Sequence, residues 1–356
     1  MSWVRGNFIG RGSFSTVHLA VPTANSFSEI AAPTAVKSSE VLFCSFLKNE
    51  KEVLDCLGFC PHIIQCSGDG FSFENGGEYY NLFLEYAAGG NLAEHIKKQG
   101  GRLPEADVRR YTISILKGIQ HIHAKGFVHC DIKLQNILLF DNGDVKIADF
   151  GLAKRTMERE EKQSREEKQS EWRGTPLFMS PESVRDNVYD SPADIWSLGC
   201  AVVEMVTGKP AWNSPNGSEL SNIYSLLLRI GVGEELPEIP KELSEDGKDF
   251  LRKCLVKDPA KRWTAEMLLE HPFIKHDGEE KSSPRTHFDF PDWVSSTSSL
   301  TPTSPESDQW REWKFDTSSR VTCFCSPVDQ LRQVVTKERP NWSESESESW
   351  VVVRQE

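Results

Sequence analysis

The stretch His129-Cys130-Asp131-Ile132-Lys133-Leu134-Gln135-Asn136, followed by Asp149-Phe150-Gly151, limits what this chain can fold into more than any other. It sets a carboxylate, an ammonium group, an amide and a second carboxylate close together in the chain. Asp131 can orient a hydroxyl and accept its proton, and Lys133 can reach the oxygens of a phosphate in transfer. Asn136 and Asp149 offer the hard oxygen ligands that magnesium prefers. Between the two motifs, Leu138 and Leu139, then Val145 and Ile147, read as two short strands about an Asn142-Gly143 turn. The second strand delivers Asp149.

Three further pieces precede this stretch. In Ile9-Gly10-Arg11-Gly12-Ser13-Phe14-Ser15-Thr16-Val17, glycines 10 and 12 let the backbone approach phosphates closely, and Ser15 stands where a third glycine is usual. Ala35-Val36-Lys37 is a β-type run ending in lysine. The run from Leu47 to Leu54 reads as a helix with both leucines on one face. Glu50 lies four residues before Leu54 on the inward side, so it is preferred over Glu52 as partner of Lys37. Taken singly, each piece is bland: two close glycines are usually a turn, and a lone lysine is usually at the surface. In this order along one chain they form a set.

From about Trp3 to Ile274 the chain resembles the eukaryotic protein kinases. Leu84-Glu85-Tyr86-Ala87-Ala88-Gly89-Gly90 is similar to a kinase hinge, and Ser180-Pro181-Glu182 stands in the place of Ala-Pro-Glu. Asp194-Ile195-Trp196-Ser197-Leu198-Gly199 and His271-Pro272-Phe273 match as well, and Arg262 stands where the partner of the Glu182 carboxylate is usual. The resemblance implies an α+β, bilobal fold: a small β-rich lobe with one helix, a larger helical lobe, and a kinase domain over 3–274. It implies ATP and Mg2+ as cofactors, with residues 9–17 over the phosphates and Lys37 on the α- and β-phosphates, held by Glu50. Glu85 and Ala87 offer backbone hydrogen bonds to adenine, with Leu84 as gatekeeper. Asn136 and Asp149 bind magnesium, Asp131 orients the substrate hydroxyl, Lys133 neutralises charge, and Thr175 shapes the peptide floor.

Asp131-Ile132-Lys133 with Gln135-Asn136 resembles the serine/threonine class. Gly174-Thr175-Pro176-Leu177-Phe178-Met179-Ser180-Pro181-Glu182 is similar to the signature of MAP kinase kinase kinases. The opening Trp3-Val4-Arg5-Gly6 and His-Cys-Asp in place of His-Arg-Asp resemble the plant members that begin directly with the kinase domain. MAP kinase kinases are then the implied protein substrates, in a stress or hormone signalling cascade. A kinase working outside that cascade, and a catalytically silent scaffold, are the competing readings. The scaffold would need a lost lysine, aspartate or asparagine, and none is lost.

Composition narrows the rest. A hydrophobic content of 38% with 10 Trp and 19 Phe is enough for a packed core. The net charge of -12 argues against a general nucleic-acid partner, which needs a basic footprint. No basic start followed by a long apolar run suggests a secretory signal, and the apolar run from Leu198 to Val203 is stopped by Glu204, so no membrane insertion is expected. Cytoplasm and/or nucleus is the expected location. The 9 cysteines show no zinc spacing and read as reduced and mostly buried. Val17, Leu19 and Val21 alternate with polar residues like a half-buried strand, 22–33 reads as a loop, and Val108, Tyr111, Ile115, Ile119 and Ile122 recur at helical spacing between Pro104 and Gly126.

The segment between Asp149 and Glu182 holds a duplicated hexapeptide, Arg159 to Ser164 and Arg165 to Ser170. It is either an expansion of a solvated loop or a regulatory segment whose Ser164 or Ser170 accepts phosphate. Cys130 replaces the arginine that grips a loop phosphate in His-Arg-Asp kinases, so activity is expected to depend less on loop phosphorylation. Arg155, Arg159 or Arg173 could supply the missing grip. Residues 275–356 read as a mostly disordered Ser/Thr/Pro/acidic regulatory tail. Its Ser-Pro or Thr-Pro pairs at Ser283, Thr301, Ser304 and Ser326 are either feedback sites for downstream MAP kinases or common tail composition.

Overall fold

The computed structural model of the chain describes residues 3–12, 15–22, 33–74, 76–156, 172–212 and 223–275, and everything below concerns those residues. The loop expected over 22–33, the duplicated hexapeptide and the tail from 276 fall wholly or mainly outside them.

Five strands form the first sheet: β1 (Trp3–Arg11), β2 (Thr16–Pro22), β3 (Thr34–Glu40), β4 (Cys66–Glu74) and β5 (Gly77–Glu85), in the antiparallel order β1-β2-β3-β5-β4. One helix, α1 (Ser45–Leu57), connects β3 to β4 and buries Leu47, Glu50, Val53, Leu54 and Leu57. Glu50 therefore shares the inward stripe with Leu54, whereas Glu52 is exposed. The strand expected at β2 is present, but its burial does not alternate: Thr16 to Leu19 are half-buried and Ala20 is its one buried residue. Ala20 packs with Trp3 and Val36, and the Trp3 ring meets Phe83 edge-on at 5.2 Å. Val21 is exposed, and Val17 looks into an open cleft. The reason is cover: Trp3 and Arg5 close the outer side of the sheet, while the inner side roofs the cleft. Arg5 also gives hydrogen bonds to Glu74 at 2.6 and 3.1 Å and to Asn81 at 2.8 Å, tying β1 to β4 and β5.

The helical part follows: α2 (Leu92–Lys98), α3 (Glu105–Ala124), α4 (Pro181–Asp186), α5 (Ser191–Thr207), α6 (Ile223–Gly231), α7 (Glu245–Cys254), α8 (Ala265–Leu269) and α9 (Pro272–Lys275). In α3 the residues at helical spacing, Val108, Tyr111, Ile115, Ile119 and Ile122, are all buried. Four short strands lie between α3 and α4. They are β6 (Phe127–Val128), β7 (Ile137–Leu139), β8 (Val145–Ile147) and β9 (Lys154–Arg155). β7 pairs β8 with Leu139 opposite Val145, the hairpin expected about Asn142-Gly143.

The helix α5 is the axis of this part. It is apolar nearly all round, from Ile195 to Val206, because it is surrounded by protein. Asp190 caps its start, and Gly208 ends it at φ 69. A Cβ at Gly208 would stand 1.8 Å from the Gly101 carbonyl oxygen, so both the turn and the close approach require glycine. No described helix is long and apolar enough to cross a membrane.

Candidate active site

The loop after β6 is held from beneath by α5. Asp194 is 1% exposed, and its carboxylate accepts the His129 and Cys130 backbone N–H groups at 2.9 and 3.0 Å. His123 Nε2 lies 2.9 Å from the same carboxylate. Burial pushes the Asp194 carboxyl up, but His123 and the backbone donors outweigh it and hold it below the usual range. Cys130 needs this support because it sits at φ 69, a left-handed conformation that costs a side-chain-bearing residue about 1–2 kcal/mol. The His129 ring accepts the Asp131 N–H on Nδ1 at 3.2 Å, donates from Nε2 to the Ala148 carbonyl at 3.1 Å, and meets Phe150 edge-on at 4.8 Å. One ring thus ties the Asp131 loop to the Asp149 segment.

Asp131 is the centre of a compact polar group. Lys133 Nζ lies 2.7 Å from its Oδ2 and donates to Thr175 Oγ1 at 2.7 Å. The Thr175 hydroxyl donates to Asp131 Oδ1 at 2.8 Å. The Asn136 amide donates to Asp131 Oδ2 at 3.0 Å and to the Asp131 carbonyl at 2.9 Å. With its NH2 engaged, Asn136 has its amide oxygen left as the atom to offer a cation.

Lys37 lies under the sheet, 2.6 Å from Glu50 Oε2 and 2.9 Å from Asp149 Oδ1. Burial opposes the Lys37 charge, but the two carboxylates prevail and raise its pKa. Burial likewise pushes the Asp149 carboxyl up, and Lys37 more than offsets it, leaving the group below the usual carboxylate range. Asp149 sits at φ 66, and its side chain is 48% exposed, open to the cleft, while Phe150 behind it is fully buried.

These groups line a single cleft of about 850 Å³ between the sheet and the helical part. Ile9, Gly10, Arg11, Gly12, Ser15 and Val17 line its upper wall. Thr16, opposite Arg11 in the β1–β2 ladder, does not line it, and Ser13 and Phe14 lie outside the described residues. Glu85 and Ala87 line the far end, below Leu84. The Glu85 carboxylate is engaged by Lys146 at 2.6 and 2.7 Å and by the Gln65 N–H at 2.8 Å. The Glu85 backbone N–H donates to the Gln65 carbonyl at 3.0 Å, which leaves the Glu85 backbone carbonyl to offer a ligand. Ala35 above and Leu138 below complete an apolar slot that the sequence reading did not single out. Both could have been found as the apolar residues two before Lys37 and two after Asn136.

Cys130 is 8% exposed, and burial pushes its thiol up. Arg155 is turned away toward Cys56 Sγ, 3.3 Å distant, and over the Phe127 ring. Arg173 donates to the Leu152 carbonyl at 3.1 Å. Arg159 lies outside the described residues.

Residues 3–274 match the family model described as the protein kinase domain. The whole chain is 52% identical to mitogen-activated protein kinase kinase kinase 20 of Arabidopsis thaliana, over 99% of this chain and 100% of that protein. Mitogen-activated protein kinase kinase kinase 17 of the same plant is 44% identical over 77% of this chain and 70% of its own length. The yeast serine/threonine-protein kinase BCK1/SLK1/SSP31 is 34% identical over 76% of this chain and 18% of its own.

Proposed function

Because the chain belongs to the protein kinase family and to its plant-type MAP kinase kinase kinase branch, we propose that it phosphorylates MAP kinase kinases on activation-loop serine or threonine. The enzyme is an ATP-dependent serine/threonine protein kinase of a MAP kinase cascade. The observation that carries the site assignment is the joint placement of Lys37, Glu50, Asp149 and the Asp131–Lys133–Thr175 group on one cleft. A stress or hormone setting, and feedback from downstream MAP kinases on the tail, belong to the same proposal.

The residues present fit magnesium. They offer an amide oxygen and a carboxylate, hard ligands of the kind magnesium takes alongside substrate phosphates. Asn136 and Asp149 would hold the ion, which supplies positive charge at the phosphate oxygens. Lys37, fixed between Glu50 and Asp149, grips the nonreacting phosphates. The glycine turn of residues 9–17 covers them and excludes water. The Glu85 carbonyl and the Ala87 N–H take the adenine edge. Asp131 accepts the hydrogen bond of the substrate hydroxyl and aims its oxygen at the γ-phosphorus. Lys133 bridges Asp131 and Thr175, so the ammonium group stands where charge grows during transfer.

Purified protein incubated with ATP and a kinase-dead MAP kinase kinase tests the substrate assignment. Phosphate on that protein's activation loop is the expected result. Transfer to generic proteins only would point to work outside the cascade, and no transfer at all would leave a binding module. The domain boundary is proposed at 274/275, where the family match ends. A chain ending at Lys275 should fold and keep its turnover within about twofold, since residues beyond the last core helix are tolerant of removal. Loss of activity in a soluble truncation would refute the boundary. Control by loop phosphorylation is proposed to be weak, because a thiol cannot form a bidentate charge-assisted pair and Arg155 faces elsewhere. A phosphatase-treated enzyme should keep most of its activity, as should a variant with alanine at Thr156, Ser164 and Ser170.

A further inference from the structure

Asn49 precedes Glu50 on α1 and has no role in the scheme above. Its amide nitrogen lies 2.9 Å from the Ala153 carbonyl oxygen, 3.0 Å from that of Gly151 and 3.3 Å from that of Phe150. An amide NH2 carries two hydrogens, so Ala153 and Gly151 take them and Phe150 is a weaker third. Three acceptors on one side also settle the amide's orientation, because its oxygen turned that way would face them all. The same helix presents the Glu50 carboxylate to the Phe150 N–H at 3.2 Å. The Phe46 carbonyl stands 3.4 Å from where a Cβ on Gly151 would lie. The helix therefore holds the chain directly after Asp149 through both a donor and an acceptor. Such a hold offsets the strain of Asp149, whose φ of 66 lies in the left-handed region.

We propose that Asn49 is a positioning residue for the metal-binding carboxylate. It couples α1 to the segment after Asp149, so that the Lys37–Glu50 pair and Asp149 are set in place by one and the same helix. The inference rests on the reading that Asp149 holds magnesium. A residue that merely packed the helix would affect stability, or the whole cleft equally. A residue that positions Asp149 affects the magnesium-dependent part of nucleotide binding.

Full-length Asn49→Ala and Asn49→Asp variants separate these. Asn49→Asp keeps the shape and turns a donor into a carboxylate facing carbonyls. Should it not fold, Asn49→Ala still removes the donor. Binding of a fluorescent ADP analogue is measured with and without Mg2+, beside steady-state transfer and a thermal melt. In folded Asn49→Ala, binding without Mg2+ should stay within about twofold of wild type. The tightening produced by Mg2+ should shrink about tenfold, and kcat should fall by a similar factor with KM for the protein substrate unchanged, as when a supporting contact of a metal ligand is lost. Unaltered magnesium dependence in a folded variant would overturn the proposal. So would an equal loss of affinity with and without the ion. A wild-type protein whose nucleotide binding ignores Mg2+ would instead bring down the magnesium reading itself, and this inference with it.

Discussion

Arg262→Ala should cost the kinase domain about 3–5 kcal/mol, the range for breaking a buried ion pair by removing one partner. Arg262 and Glu182 meet in a two-pronged pair, at 2.7 and 3.0 Å, with the arginine side chain fully buried and the glutamate 5% exposed. The guanidinium also donates to the Val256 and Pro192 carbonyls and lies over the Trp196 ring at 5.3 Å. Without it, the Glu182 carboxylate is stranded in the protein, and two carbonyls lose their donor. A loss of this size consumes a large part of the 5–15 kcal/mol that typically holds a domain together. Glu182→Gln should cost less, because an amide oxygen still accepts from Arg262 and the other acceptors remain. Urea unfolding of both variants checks the order. An Arg262→Ala protein within about 1 kcal/mol of wild type would mean that the stranded carboxylate finds water or a proton cheaply, against the burial seen here.

Much of the site was legible because it is written in short-range spacing. Asp131, Lys133 and Asn136 share one loop, so covalent connectivity alone brings them together. The β7–β8 hairpin and the stripe on α3 follow from turn chemistry and helical period. The preference for Glu50 over Glu52 rests on a single inward neighbour, Leu54, and Glu50 lies on the buried stripe of α1. What the sequence did not disclose depends on contacts between distant segments. The face of β2 that is buried is decided by Trp3 and Arg5, which cover one side of the sheet, and periodicity alone cannot choose between two sides. Asp194 was visible as part of a matching motif, but its grip on His129 and Cys130 spans 65 and 64 residues of chain. Asn49 and the Lys146 lock on Glu85 were likewise silent. A polar residue on the inward stripe of α1, three after Phe46 and four before Val53, was the one local sign of the former.

Lys37→Met and Asp149→Asn should each lower phosphoryl transfer by about 10²-fold or more, since the first removes the cation that grips the nonreacting phosphates and the second the carboxylate that would hold magnesium. Their structural consequences should differ. Asn at 149 keeps an oxygen acceptor for Lys37 and the shape of the aspartate, and the side chain is half exposed, so the fold should lose little. Met at 37 takes the cation from beside Glu50, which is 1% exposed and would keep only the Phe150 N–H as partner. Burial already pushes the Glu50 carboxyl up, and Lys37 is what opposes it. With Lys37 gone, the folded-state value lies further above the ordinary glutamate value of about 4.3. The folded variant then binds a proton that the unfolded chain releases. Its stability is greatest at low pH and falls as pH rises from the ordinary value through the raised one. Denaturant midpoints of Lys37→Met against wild type should therefore be closer at pH 5 than at pH 8, whereas Asp149→Asn should show no such trend. Near-wild-type turnover in either variant would remove that residue from the transfer machinery. A Lys37→Met protein whose deficit is the same at both pH values would show that Glu50 stays charged without its lysine, and that the pair is not what holds α1 in place.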